Sequence, residues 1–209
     1  MIGLLLGNMK LCDIIKSRSD VMKYSEILKI LLSDDVYNIL KQKESELFEL
    51  IPELEVCKGF EQNNNWHIYD VYEHILYVVS GVDSDVCLRL SALFHDIGKP
   101  LTYTEDSDGI GHFYNHWNKS VEIFKKYQDK FELSNEEISL IVNLIFYHDI
   151  NIDKMNVEEI DLMISTIGIE NIELLFALKQ SDLLAQSPEY HYLLTNINNQ
   201  EQSIIKIKS

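Results

Sequence analysis

The chain has 209 residues, 46% of them hydrophobic and 25% charged, which is the composition of an ordinary globular protein with a sizeable core. Its 34 acidic residues outnumber 18 basic ones, so the formal net charge is -16. An acidic surface argues against binding to duplex nucleic acid through clustered Lys and Arg, whereas a small phosphorylated substrate can still bind beside a metal ion.

Cysteine content and hydrophobic runs indicate a cytoplasmic protein. The three cysteines are widely spaced, form no CxxC pair and are interpreted as reduced thiols (Cys12, Cys57 and Cys87). The apolar start at residues 1–7 lacks the basic segment of a signal peptide. No run approaches the roughly 18 apolar residues needed to cross a membrane, so no membrane partner is expected. Met9 and Met22 are alternative starts, and the oligomeric state stays open.

The first part of the chain is predicted to form short helices. Residues 9–32 have helical spacing of apolar positions, and Ser33-Asp34-Asp35 is a plausible cap for a helix through Leu40. A short helix over 46–51 is expected to end at Pro52, and the asparagine-rich residues 59–65 are predicted to form a loop. We assign residues 1–60 to an N-terminal helical extension and 61–209 to the main domain.

The next two predicted helices carry polar residues on apolar faces. Asp70, followed by Glu73, predicts a helix start, and the apolar stripe that follows places His74 on its buried face. A helix over 86–97 is apolar on most sides, and its exception, Arg89, is interpreted as a surface or ion-pair residue. Gly98 and Pro100 are stop signals after it. Residues 101–112 are predicted to form a polar loop with room for a small hairpin between 101–103 and 110–113.

The remaining chain predicts helices over 115–127, from a Ser134–Glu137 capping box to His148, over 157–167, over 170–186 and from 190 onward. Core-facing stripes of these helices include His116, His148 and Asp182. The whole is predicted to be an all-α helical bundle with mostly short loops.

Five helices or helix ends thus place a His or an Asp on a core-facing stripe. The set consists of His74, His95, Asp96, His116, His148 and Asp182. Separate burial of all six would require six separate partners, whereas one or two shared metal ions satisfy them together. The ligands are nitrogen and oxygen without sulfur, which suits Mn, Fe, Ni, Co, Zn or Mg with open coordination positions. With two ions, Asp96 is the candidate bridge.

Three further polar residues lie close to this set in the sequence. Lys99, one turn beyond His95, either meets a phosphate oxygen or is a solvated lysine at a helix end. His112 lies in the predicted loop and is a candidate for contact with a substrate phosphate. His67 is interpreted as a loop or packing residue.

The order His…His-Asp…Asp resembles the HD-domain phosphohydrolase superfamily, with His74, His95-Asp96 and Asp182 at the matching positions. The two intermediate histidines, His116 and His148, resemble those of HD proteins with a second metal. Over residues 60–190 the chain is most similar to the HD domain of bacterial CCA-adding tRNA nucleotidyltransferases, on the segments 70–74, 88–100, 109–116 and 181–186. Residues 1–60 do not resemble the nucleotidyltransferase head of those enzymes, so CCA addition is not implied.

This resemblance implies a helical HD domain that hydrolyses a phosphoester such as a nucleotide, a 2',3'-cyclic nucleotide or an RNA end by means of a metal-bound hydroxide. His74, His95, Asp96 and Asp182 would hold the first metal, and His116 and His148 would hold the second together with Asp96. Asp96 and Lys99 are the expected catalytic residues, and Lys99 and His112 the expected substrate contacts. Two alternatives remain open: a di-iron oxygenase on the same ligands, and a nucleotide-sensing or protein-binding HD module without turnover.

Overall fold

The structure is a computed structural model and describes residues 22–208. The predictions for residues 1–21, including the start of the first helix and the state of Cys12, lie outside the described residues. Within the described range the chain forms eleven α-helices and one two-stranded hairpin, which confirms the predicted all-α class. The helices are α1 (Tyr24–Leu31), α2 (Val36–Gln42), α3 (Glu44–Leu50), α4 (Pro52–Cys57), α5 (Val71–Gly81), α6 (Val86–Phe94), α7 (His116–Tyr127), α8 (Asn135–Tyr147), α9 (Val157–Ile167), α10 (Ile172–Leu184) and α11 (Leu194–Lys208).

Helix α6 is the centre of the bundle. Every residue from Cys87 to Phe94 is buried, and the helix packs against α1, α5, α7, α8 and α10. A helix that is apolar on all sides is stable only when neighbours surround it, which is the arrangement found here. The C-terminal end of α6 is therefore enclosed by other helices, and the residues that follow it are held deep in the protein.

Side-chain caps set several of the helix starts. The Asp70 carboxylate accepts a hydrogen bond from the Glu73 amide at the start of α5, and Ser134 and Glu137 form the predicted capping box of α8. The Glu73 carboxylate does not complete a box with Asp70. It pairs instead with Lys41 at 2.7 Å, which ties α5 to α2. Asp35 precedes α2 as the prediction expects, but its side chain makes no capping hydrogen bond.

Two prolines and a glycine act differently from the prediction. Pro52 begins α4 as its first residue, where a missing N–H costs nothing, as well as following α3. Pro100 lies in a 3-10 turn over Lys99–Leu101. Gly98 has φ -81°, so no left-handed turn requires it; instead, an added Cβ would lie 2.6 Å from the His116 carbonyl oxygen. Glycine is therefore required at position 98 because α7 approaches the backbone closely.

The predicted hairpin is present, but its first strand lies further along the chain than expected. Strand β1 (Thr104–Glu105) pairs antiparallel with β2 (Gly111–His112), with Thr104 opposite His112. The difference arises because the 3-10 turn that contains Pro100 extends to Leu101, a residue that the prediction assigned to the first strand. None of the described helices is both long and apolar enough to cross a membrane.

Arg89, expected to be a surface or ion-pair residue, is buried and pairs with main-chain carbonyls. Its guanidinium donates to the main-chain carbonyl of Ser33 at 2.8 Å and to that of Asp83 at 3.2 Å, and it also binds the carbonyls of Leu31 and Val82. One side chain thus satisfies carbonyls at the end of α1 and in the loop between α5 and α6. Arg89 joins the N-terminal helices to the central helix.

We expect Arg89→Met to lower the free energy of unfolding by about 2–4 kcal/mol, because several buried carbonyls lose their donor at once. Chemical denaturation followed by circular dichroism measures the change. Lys125→Met, at an exposed position of α7, is the matched control and should change stability by less than ~0.5 kcal/mol. Equal stability of the two variants would contradict this role of Arg89.

Candidate metal centre

A buried carboxylate lies where the helices converge. Asp96, just after the end of α6, is 1% exposed. Its Oδ2 lies 3.2 Å from His74 Nε2 and 3.3 Å from His95 Nε2. Its Oδ1 lies 3.0 Å from His116 Nε2 and 3.5 Å from His148 Nε2. The carboxylate therefore lies between two pairs of histidine rings, one on each oxygen.

The other ring nitrogen of each histidine faces a main-chain carbonyl. Since a carbonyl oxygen only accepts hydrogen bonds, Nδ1 carries the proton, and in a neutral ring Nε2 presents a lone pair to the centre. This is the arrangement by which proteins orient histidine ligands of metals. The pairs are His74 with Ala185 at 3.4 Å, His95 with Ala92 at 2.7 Å, His116 with Phe113 at 2.9 Å and His148 with Ile145 at 2.7 Å.

Acceptor atoms therefore face one another across the centre. The Nε2 atoms of His74 and His95 are 3.4 Å apart, and those of His116 and His148 are 3.2 Å apart. Lone pairs at such distances repel each other and the carboxylate unless positive charge lies between them. The buried Oδ2 of Asp96 also lacks a partner with hydrogen-bond geometry. These donors fit a divalent cation, and they divide into two groups, His74, His95, Asp96 and Asp182 in one, and Asp96, His116 and His148 in the other.

Asp182 of α10 completes the first group. Its Oδ1 lies 3.0 Å from His74 Nε2 and accepts a hydrogen bond from Gln186 at 3.2 Å. Burial opposes ionisation of this carboxyl, but the hydrogen bond with His74 and the charges of His74 and His95 together outweigh burial and lower the pKa of Asp182 below its usual value. The structure thus brings together all six residues that the sequence predicted as ligands.

The pKa values of His74 and Asp96 in the protein without metal also indicate that positive charge stabilises the centre. Burial lowers the pKa of His74, but its hydrogen bonds with Asp182 and Asp96 outweigh burial and raise that pKa to about 9. Burial raises the pKa of Asp96, yet the charges of His95 and Lys99 hold it well below its usual range. A proton on His74 therefore compensates the carboxylates when no cation does.

Lys99 is buried beside the centre, which excludes the solvated lysine considered above. Its Nζ lies 2.7 Å from Asp96 Oδ2, donates to Gln62 Oε1 at 2.8 Å and lies 3.2 Å from His67 Nε2. His67 Nδ1 in turn faces Asn64 Oδ1 at 2.8 Å. Burial and the Lys99 charge lower the pKa of His67 to about 2, so His67 is a neutral acceptor for the ammonium.

Sequence reasoning missed Gln62 and His67 as neighbours of the centre, because they lie in an aperiodic loop where no apolar stripe marks the inward side. His112, the expected substrate contact, lies on β2 outside both ligand groups. Its Nε2 is 3.0 Å from Asp106 Oδ2, and it lines a cavity of about 590 Å³ that opens onto Asp96, Lys99 and His116.

A second buried lysine supports the centre from behind. Lys179 Nζ donates to the carbonyl oxygens of His148 at 2.5 Å, Ile150 at 3.0 Å and Tyr147 at 3.4 Å. These carbonyls belong to the C-terminal end of α8, where intrahelical donors are absent. Lys179 lies one turn before Asp182 on α10. The same helix thus carries the candidate ligand Asp182 and the lysine that binds the carbonyl of a second candidate ligand, His148. Lys179 directly follows the apolar run 174–178, which was the available sequence signal.

Comparison with known proteins covers most of the centre but not all of it. The family model described as HD domain matches residues 66–165, which include His74, His95, Asp96, His116 and His148 but not Asp182. An A-adding tRNA nucleotidyltransferase of Deinococcus radiodurans is 29% identical over 104 residues, or 47% of this chain and 24% of the relative. A multifunctional CCA protein of Shewanella frigidimarina is 31% identical over 113 residues, or 51% of this chain and 26% of the relative. The chain thus aligns with about a quarter of the length of these curated relatives.

We expect Lys179→Met to lower the free energy of unfolding by about 2–4 kcal/mol, because it leaves carbonyls at the end of α8 without a donor. The His148 ring should also lose its fixed orientation, which NMR of labelled histidine rings detects as a broadened signal. Lys119→Met on α7 is the control for loss of a lysine. An unchanged His148 signal together with wild-type stability would refute this support role.

Proposed function

We propose that the domain whose residues 66–165 match the HD domain model binds one or two divalent ions at its centre and hydrolyses a phosphoester. The observation that carries this proposal is the buried Asp96 carboxylate with four histidine Nε2 atoms within 3.5 Å of its two oxygens. Such a set of acceptors is stable only around positive charge, and nitrogen and oxygen donors suit Mn, Fe, Co, Ni, Zn or Mg.

The six residues divide naturally between two ions. His74, His95 and Asp182 would hold the first and His116 and His148 the second, with one oxygen of Asp96 directed to each. Bound ions of this kind activate water for attack at neutral pH and stabilise charge on a phosphoryl group. The ring orientations fixed through Nδ1 keep the ligands in place before any ion binds.

Lys99 and the residues around it would act on the substrate side. Lys99 lines the cavity next to Asp96, so its ammonium can offset negative charge that accumulates on a phosphoryl group. Gln62 and His67 hold this ammonium in position as acceptors of its hydrogen bonds. His112 and Lys154 line the same cavity and add donors for an anionic substrate.

The substrate would be small, for example a nucleotide, a 2',3'-cyclic nucleotide or an RNA end. A net charge of -16 disfavours long nucleic acids, whereas the cavity of about 590 Å³ lies within the size range of small-molecule sites. The relatives are named for tRNA nucleotidyl transfer, but only about a quarter of their length aligns. Nucleotide addition is therefore not part of this proposal.

We also propose that residues 1–60 are an extension of the HD domain at 61–209. In the described part, α1 packs on α6 and α2 on α5, so the extension supports the two helices that carry His74 and precede His95. A cytoplasmic location is proposed because Cys57 and Cys87 are buried, unpaired thiols.

We expect purified protein to bind a divalent metal, and saturation at 100 times the dissociation constant should add about 2.7 kcal/mol of stability. Asp96→Ala should abolish binding because it removes an oxygen from both ligand groups, whereas Asp182→Ala should weaken the first group alone. Elemental analysis and thermal unfolding with each metal measure both effects. Asp106→Ala, at an exposed carboxylate, is the control. Wild-type metal content in Asp96→Ala would refute the centre.

We expect metal-loaded protein to hydrolyse phosphoesters in a screen of nucleotides and cyclic nucleotides with Mg, Mn, Ni, Co and Zn. The double variant His95→Ala, Asp96→Ala should lose this activity and remain helical. Lys99→Met should keep its metal but lose on the order of 10²-fold in kcat, the usual effect of removing one charge-stabilising donor. Oxygen consumption without hydrolysis in the iron-loaded protein, or nucleotide binding without turnover, would overturn the proposal.

A further inference from the structure

Two adjoining cavities are both lined by the candidate ligands His148 and Asp182. We call lobe 1 the cavity of about 590 Å³ lined by Asp96, Lys99 and Trp117, and lobe 2 a cavity of about 470 Å³ lined by Trp66 and Leu193. Both are lined by His67, His148, Asp149, Ile150, Asn151, Asp182 and Gln186. The two lobes therefore adjoin, and their common lining contains one candidate ligand from each metal group.

Each lobe alone is large enough to hold one ester arm of a substrate. Pockets that hold whole small molecules measure roughly 300–1,000 Å³, and both volumes fall in this range. A substrate with a single ester arm occupies one such space and leaves the other to water. Two adjoining spaces of this size, both lined by His148 and Asp182, fit a phosphoryl group that carries two arms.

The linings of the lobes differ in charge. Lobe 1 is lined by two lysines, Lys99 and Lys154, and by the aromatic side chains of Tyr114 and Trp117. Its lining also contains four carboxylates, those of Asp96, Asp149, Glu159 and Asp182. Lobe 2 is lined by amide side chains such as Asn196 and Gln200 and by the apolar Leu193 and Ile197. Its one lysine, Lys179, is directed to main-chain carbonyls. Lobe 1 thus places two ammonium groups beside the carboxylates of the centre, whereas lobe 2 is suited to an uncharged, partly apolar group.

We infer that the substrate of this centre is an acyclic phosphodiester whose two ester arms occupy lobes 1 and 2. This inference rests on the proposed function and names its substrate class. Hydrolysis adds the oxygen of one water molecule to phosphorus and breaks one P–O ester bond. The departing oxygen takes up a proton, so the products are one alcohol and one phosphomonoester.

The two tryptophans of the chain report on the lobes separately, because Trp117 lines lobe 1 and Trp66 lines lobe 2. In Trp117→Phe the remaining emission comes from Trp66, and in Trp66→Phe it comes from Trp117. Phenylalanine keeps an aromatic ring at each position, including the stack of residue 66 on Tyr190. Acrylamide quenching of each variant is measured with diphenyl phosphate, a diester, and with phenyl phosphate, a monoester, with and without Zn²⁺.

We expect diphenyl phosphate to protect both tryptophans from acrylamide and phenyl phosphate to protect only one. Protection of Trp117 alone by the diester overturns the inference and leaves the proposed function standing. If neither bis(4-nitrophenyl) phosphate nor 4-nitrophenyl phosphate is hydrolysed with any of the five metals, the proposed function fails, and the substrate assignment fails with it.

A second pair of variants tests lobe 2 in the hydrolysis reaction. Leu193→Trp fills lobe 2, and Thr195→Trp places the same side chain on a neighbouring exposed residue that lines neither lobe. We expect Leu193→Trp to lower kcat/KM for bis(4-nitrophenyl) phosphate by at least about tenfold and to leave the value for 4-nitrophenyl phosphate within about threefold, the scale of a lost pocket contact. An equal loss for both esters, with unchanged metal content and circular dichroism, overturns the inference.

Discussion

The structure depends on an ionised carboxylate buried at the end of its most enclosed helix. Taking the Asp96 anion out of water costs several kcal/mol unless positive charge and donors surround it. The fold meets this requirement by directing one histidine each from α5, α7 and the end of α8, together with His95 and Lys99, to the two oxygens of Asp96. The helices are therefore arranged around an electrostatic need as well as an apolar core.

The same local device is used at two helix ends. Helices α6 and α8 are apolar and each is followed directly by a His-Asp pair, His95-Asp96 and His148-Asp149. In both, the ring donates through Nδ1 to the carbonyl three residues earlier, at 2.7 Å, where a helix end leaves carbonyls without intrahelical donors. The two aspartates differ in burial, since Asp96 lies inside and Asp149 is exposed. The end of α6 thus supplies the carboxylate that both candidate metal groups share, whereas the end of α8 supplies only the imidazole of His148.

Periodicity was sufficient to place the candidate ligands but not the residues that support them. His74, His116 and His148 repeat with the apolar residues of their helices, so the sequence alone put them on inward faces. Lys99, Gln62 and His67 meet through a loop whose course no repeat encodes. The role of Gly98 depends on how closely α7 approaches, which is a tertiary distance, and Pro52 begins a helix because its missing N–H is harmless at that position. What the sequence could not predict is the set of contacts between elements.

The charge distribution favours small ligands at the centre and disfavours long nucleic acids at the surface. The chain as a whole is acidic, with a net charge of -16, yet its centre requires positive charge and lobe 1 carries Lys99 and Lys154. At physiological ionic strength, charges more than about 8 Å apart are largely screened, so an ester inside lobe 1 experiences chiefly the lysines and the ligands around it. A long nucleic acid would instead lie along the acidic exterior and be repelled over its whole length. The acidic surface and the acceptor-lined centre therefore both favour the binding of metal ions and short esters over long nucleic acids.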